Sequence, residues 1–238
     1  MLSRIGLIAF LCYTGFMPKL EGYRLDFDLV RERETGPTLN AVCYVPGVGA
    51  RNIYNRYFTV GEYGWVYILD VDGHSMDDSL QLPNGGSEYN LSGVSGYRYD
   101  TGTRDVLVIA VGYKRDSTAT GAKWKGAIWY STDRGDSWTR VSEGNLPPAV
   151  RYEYAPVPFL DVHVVNRSHA WVSCGNGYVM KSTDGGVRWS LRPSPPGPNK
   201  PIRPNYMGWF WGIPAPDENT AWVCSDQSGF VANKSYLK

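Results

Sequence analysis

Histidine, charge of one sign and long apolar runs are all scarce in this chain. Its three histidines, His74, His163 and His169, form no H-E-x-x-H pair to hold zinc, and no G-x-S-x-G turn is present to hold a nucleophile. The four cysteines, at 12, 43, 174 and 224, make no C-x-x-C pair, so zinc-ribbon and thioredoxin-like chemistry find no support. Each reads instead as a small apolar strand residue. A formal net charge of +1 gives neither the basic field that draws in nucleic acid nor an acidic solvated tail. The longest apolar run, Ile5 to Phe16 behind Arg4, is too short to span a bilayer comfortably. It has the outline of a signal peptide but no small-x-small cleavage site, so we read it as a strand. No membrane span, metal or cofactor is expected.

Glycine (27), proline (16), tyrosine (17) and tryptophan (9) are plentiful instead. Gly and Pro punctuate turns, and Tyr and Trp suit half-buried pleated surfaces, so the composition points to an all-β fold. The organising feature is a repeat. Arg56–Gly61 leads to Gly64–Leu69, Asp105–Gly112 to Gly126–Ser131, His169–Gly175 to Gly177–Ser182, and Thr220–Ser225 to Gly229–Ser235. Each pair is an apolar strand, a glycine-bearing turn and a second apolar strand, the signature of a hairpin. Candidate strands stand upstream at Ala41–Val45, Gly96–Tyr99, Leu160–Val165 and Trp209–Ile213, and downstream at Leu80–Leu82, Trp138–Val141 and Trp189–Arg192. Units of four strands, each about fifty residues long, match a propeller blade, whose radial packing protects sheet edges. We therefore expect one β-propeller domain over residues 1–238, built of four-stranded antiparallel blades. The repeats run about 37–86, 87–147, 148–198 and 199–238, with strands in 1–36 helping to close the ring and five blades preferred to four. A Cys174–Cys224 disulfide is a pairing the repeat would allow.

The sharpest motif follows the second hairpin strand. It reads Ser131-Thr-Asp133-Arg-Gly135-Asp-Ser137-Trp138 and recurs as Ser182-Thr-Asp184-Gly-Gly186-Val-Arg188-Trp189. This resembles the Asp box, S-x-D-x-G-x-[S/T]-W, of bacterial neuraminidase repeats, and Arg188 is the one departure in the second copy. A more decayed copy runs from Leu69 to Met76. A short carboxylate can accept backbone N–H groups across such a turn, Gly can adopt the backbone it needs, and Trp can pack between sheets. The resemblance implies that the boxes lie at the outer rim, between the third and fourth strands of a blade. Arg134-Gly135-Asp136 spells an adhesion tripeptide, which the turn chemistry already accounts for.

Because Asp boxes occur in sialidases, the resemblance also raises a hydrolase with an arginine triad, a Tyr–Glu nucleophile pair and an acidic proton donor. The R-I-P motif of those enzymes is missing, since Arg4-Ile-Gly and Ile202-Arg-Pro do not match it. No catalytic residue is assigned. Asp70, Asp72, Asp77 and Asp78 read as a solvated turn rather than a calcium site. Binding candidates come from loops and aromatics: Tyr152, Tyr154, Tyr206, Trp209 and Trp211, beside the proline-rich stretch 193–208 and a polar insertion at Lys114–Lys125. The turns of these hairpins look most like those of photosystem II assembly-factor-type propellers, which implies a non-enzymatic module that docks other proteins. Propellers of that look also occur among phage virion components, so a virion or tail setting, or a cytoplasmic one, is preferred to secretion. A glycan-binding lectin is the alternative, and nucleic acid is not an expected partner.

Overall fold

Apolar strands joined by short glycine turns can pair only with their sequence neighbours, and always antiparallel. That is the topology found. In the computed structural model the described residues are 37–46, 55–69, 75–99, 106–116, 123–151, 157–192 and 210–225, all within one unit, Arg33–Lys238. The first sheet is β1 (Leu39–Val45), β2 (Arg56–Gly61), β3 (Trp65–Leu69) and β4 (Ser75–Gln81), in that order. The second is β5 (Asn90–Arg98), β6 (Val106–Asp116), β7 (Lys123–Ser131) and β8 (Thr139–Arg140). The third is β9 (Phe159–Val164), β10 (Ala170–Cys174), β11 (Val179–Ser182) and β12 (Ser190–Arg192). β13 (Phe210–Gly212) pairs with β14 (Cys224–Ser225) as a fourth sheet. The chain is all-β with four-stranded antiparallel sheets.

Several elements differ from the sequence reading. The polar stretch Lys114–Lys125 is not wholly a loop, because the ladder runs on through Lys114↔Lys125 and Arg115↔Trp124 to Asp116↔Lys123. Long side chains on alternate strand positions can keep their charged ends in water while the backbone pairs. β5 begins well before Gly96, at Asn90, since Tyr89 and Leu91 are buried and anchor its start. Cys174 is a free, fully buried thiol, so the Cys174–Cys224 disulfide is not formed. The decayed box at Leu69–Met76 and the Asp70–Asp78 cluster fall largely outside the described residues.

The repeat glycines serve different physical ends. Gly64 and Gly177 adopt φ of +65° and +74° in tight turns, where a side chain is strained. Gly126 stands at the same place in its hairpin but lies within a continuing strand. There a Cβ would sit 2.5 Å from the Phe159 ring of the third sheet.

Successive sheets pack face to face, and their first strands adjoin: β1 on β5, β5 on β9, β9 on β13. One core joins the first and second sheets through Phe58, Val60, Ile68, Leu91, Val108 and Trp129. A second joins the second and third through Ile109, Val111, Ile128, Phe159, Val172 and Met180. A third lies between the third sheet and Ile213, Ala215, Ala221 and Val223. Each first strand carries a bulge at the same ladder position, where Asn40, Ser92, Leu160 and Trp211 are the extra residues. Such bulges bend a strand and sharpen its twist, which lets four first strands converge. Among the described residues no helix is long and apolar enough to cross a membrane.

Candidate functional site

The two Ser-x-Asp-x-Gly segments fold into near-identical turns, between β7 and β8 and between β11 and β12. Ser131 Oγ donates to Asp133 Oδ1 at 2.8 Å and accepts the Gly135 N–H at 2.8 Å. Ser182 Oγ does the same to Asp184 Oδ1 and from Gly186 N–H, each at 2.9 Å. The carboxylates also accept a backbone N–H at 2.9 Å, from Ser137 and from Arg188 respectively. The departure at Arg188 therefore leaves the backbone bond intact and removes only the extra hydroxyl that Ser137 gives Asp133. Each Trp closes its turn by donating Nε1–H to the glycine carbonyl, Trp138 to Gly135 at 3.1 Å and Trp189 to Gly186 at 2.9 Å.

These turns also brace the joints between sheets. Gly135 and Gly186 both have φ of +88°, and a Cβ on them would meet Phe58 at 2.7 Å and Ile109 at 2.9 Å. Trp138 belongs to the core shared with the first sheet and Trp189 to the core shared with the second. Arg134-Gly135-Asp136 is tied into the same joint, for Arg56 Nη1 donates to the Arg134 carbonyl at 2.7 Å and pairs with Asp136 at 3.2 Å.

A second set of polar groups sits where the first strands adjoin. Asn40 Nδ2 donates to the Leu91 carbonyl at 2.8 Å, and Ser92 Oγ to the Phe159 carbonyl at 2.8 Å. Both are bulge residues, and their acceptors are equivalent in the next sheet. At the third joint Leu160 cannot donate, and the neighbouring Asp161 accepts the Ile213 N–H at 3.0 Å instead. Burial raises the Asp161 carboxyl to about 6, against the pull of hydrogen bonds from the Ile213 and Val162 backbone. Burial likewise lowers His163 and pushes the Cys43 thiol up to about 12, against a hydrogen bond from the Phe58 backbone. Sequence reasoning passed over Asn40, Ser92 and Asp161. The available signal was a polar residue inside an otherwise apolar first strand.

Of the binding candidates, Tyr152, Tyr154, Tyr206 and Trp209 lie outside the described residues. Trp211 is the bulge residue of β13, and its backbone alone is described. The structure does reveal aromatics elsewhere. On the face of the first sheet away from the second, Val42 and Tyr44 are 52% and 45% exposed. Tyr44 packs on Tyr57 with centroids 5.0 Å apart, and Trp65 stacks on Tyr67 at 6.0 Å. Among the described residues no group of three or more His, Cys, Asp or Glu side chains could hold a metal ion.

No family model matches the chain. It is similar to the xyloglucanase Xgh74A of Acetivibrio thermocellus, 31% identical over 166 residues, a match that covers 65% of this chain and 18% of that enzyme. The chain thus spans under a fifth of the curated relative it matches. Among solved structures it resembles YCF48 bound to D1 peptide, with a TM-score of 0.53, 15% identity, and 83% and 49% of the two chains covered. It also resembles YCF48 from Cyanidioschyzon merolae, with a TM-score of 0.54, 16% identity, and 87% and 57% covered. At such identities the likeness is one of fold, and that fold is the β-propeller.

Proposed function

We propose that the chain is a non-catalytic propeller module that docks a protein partner within a larger assembly, with a phage virion or tail as the leading setting. The observation that supports this most is the likeness to YCF48, which one solved structure holds bound to D1 peptide. The local chemistry agrees. The hydroxyls and carboxylates of the two turns, Ser131, Asp133, Ser182 and Asp184, are engaged with one another and with backbone, so none is poised as a nucleophile or proton donor. We assign both turns to the Asp-box type and read the ring as five-bladed. The test is to isolate the full-length protein from its native source with its neighbours attached. A stoichiometric protein complex supports the reading, and a chain that emerges alone under gentle conditions counts against it.

A glycan-binding module is the second reading, favoured by the xyloglucanase relative. Affinity electrophoresis in xyloglucan gels checks it, since retardation would move the assignment to a polysaccharide. Release of reducing ends from xyloglucan would overturn the non-catalytic part of the proposal.

A further inference from the structure

The face that each sheet turns toward the next follows the same ladder positions, and its chemistry changes abruptly in the third. In the first sheet five of these positions hold Ala41, Cys43, Phe58, Ile68 and Leu80. Their equivalents in the second are Gly93, Ser95, Ile109, Tyr130 and Val141. In the third they are Asp161, His163, Trp171, Lys181 and Arg192. A face that is wholly apolar in one sheet and nearly so in the next has gained four ionisable side chains.

Two cations here have no ion-pair partner among the described residues. Lys181 is only 6% exposed, and its Nζ lies 5.1 Å from the centre of the Trp171 ring. Arg192 is on the same face, beside Val179 in the ladder. Neither makes an ion pair within the described residues. Burial first and the Arg192 charge second lower the Lys181 pKa, and the Glu218 and Asp217 charges offset this only in part. Asp161, on the same face, is taken up by the Ile213 N–H. Two buried donors on this face also find no partner among the described residues: the indole N–H of Trp171, which is 1% exposed, and the Nε–H of Arg192. Buried donors are normally satisfied, so an unpaired indole N–H on the ring that Lys181 overlies, on a face that also carries Arg192, calls for an acceptor.

At the equivalent spot in the first two sheets the turn glycine of the following sheet fills the space, Gly135 over Phe58 and Ile68, Gly186 over Ile109 and Tyr130. In sequence, the five-residue spacing from the hairpin glycine to those turns puts Lys234 at the Ser place and Tyr236 at the Asp place, so neither matching position carries an acidic side chain.

We infer that Lys181, Arg192 and the indole N–H of Trp171 form a carboxylate-binding site on the third sheet. A planar carboxylate can accept from a guanidinium and an indole N–H at once while its charge neutralises two cations in a poorly solvated place. The site does not depend on the docking role proposed above, because the acid can be a free small molecule or a side chain of a partner.

Trp fluorescence and calorimetry on the whole protein test this, with succinate, a glutamate-containing tripeptide and inorganic phosphate as probes. The informative variants restore what the other sheets carry: Lys181→Ile copies Ile68, and Arg192→Val copies Val141. Both should fold, and each should weaken succinate binding by about tenfold or more. Trp171→Phe keeps the ring and removes the N–H, and should weaken binding less. Tighter binding of the tripeptide than of succinate assigns the acid to a partner segment, and the reverse assigns it to a free acid. Either result supports the site. Succinate binding unchanged in Lys181→Ile and Arg192→Val overturns it, as does binding of phosphate with no binding of either carboxylate, or of no probe at all.

Discussion

Asp133 and Asp161 titrate in opposite directions for a reason visible in their partners. Burial alone would raise Asp133, but bonds from the Ser137 hydroxyl and backbone and from Ser131 outweigh it and lower its pKa. Its contribution is therefore present above the unfolded carboxylate value and lost as pH falls through the lower folded one. Replacing it with Ala strips the acceptor from Ser131, the Ser137 N–H and the Ser137 hydroxyl. We expect Asp133→Ala to cost about 1–3 kcal/mol in urea unfolding at neutral pH, and less in strong acid. Asp161 behaves in reverse. With a folded value of about 6, above the unfolded value of about 4, the native state binds the extra proton between those two values, so stability rises as pH falls through that window. Above it the ionised carboxylate costs on the order of 3 kcal/mol. Asp161→Asn keeps an acceptor for the Ile213 N–H. It should raise the thermal midpoint at neutral pH and flatten the profile below pH 6 or so, which a series of melts would read directly.

At the scale of an element, the turn after the third strand is set by backbone sign as much as by hydrogen bonds. Arg134 and Gly185 occupy the same left-handed position, with φ of 69° and 77°, so that place already tolerates a side chain in one copy. Gly135 and Gly186, one residue on, combine a φ of +88° with a neighbouring sheet under 3 Å from any Cβ. Gly185→Asn should accordingly shift stability by under about 1 kcal/mol, whereas Gly186→Ala should cost about 2 kcal/mol or more from strain and overpacking together. Equal effects of the two substitutions would contradict that account. The bulges belong to this scale as well, because one extra residue turns Asn40 and Ser92 toward the next sheet's backbone.

For the molecule as a whole, sheets that each bury one face on the next share their cores in series. Trp129, fully buried, packs in the core shared by the first two sheets and donates to the Pro83 carbonyl at 3.0 Å, while Trp189 reports on the second and third. Packing of this kind couples the sheets, so single-Trp variants retaining Trp129 or Trp189 should show coincident unfolding midpoints. Asn40→Ala, which breaks the bond to the Leu91 carbonyl, should lower both by the same amount. A midpoint that moved for one Trp alone would show that the sheets unfold separately.

Among the described residues the sequence by itself determined the hairpins and the order of their strands. The spacing of apolar strands around Gly64, Gly126 and Gly177 marked the hairpins, and the Ser-x-Asp-x-Gly copies marked two matching corners, because short-range turns and period-two alternation are properties of neighbouring residues. Only the tertiary structure decided what those residues meet. That Asp161 accepts from Ile213, that Gly126 makes room for Phe159, and that Lys181 lies over Trp171 where Ile68 and Tyr130 stand in earlier sheets depend on ladder registers and on sheets packed from distant segments. Burial and pairing of charge are long-range quantities, fixed when one sheet closes on another, and no local pattern records them.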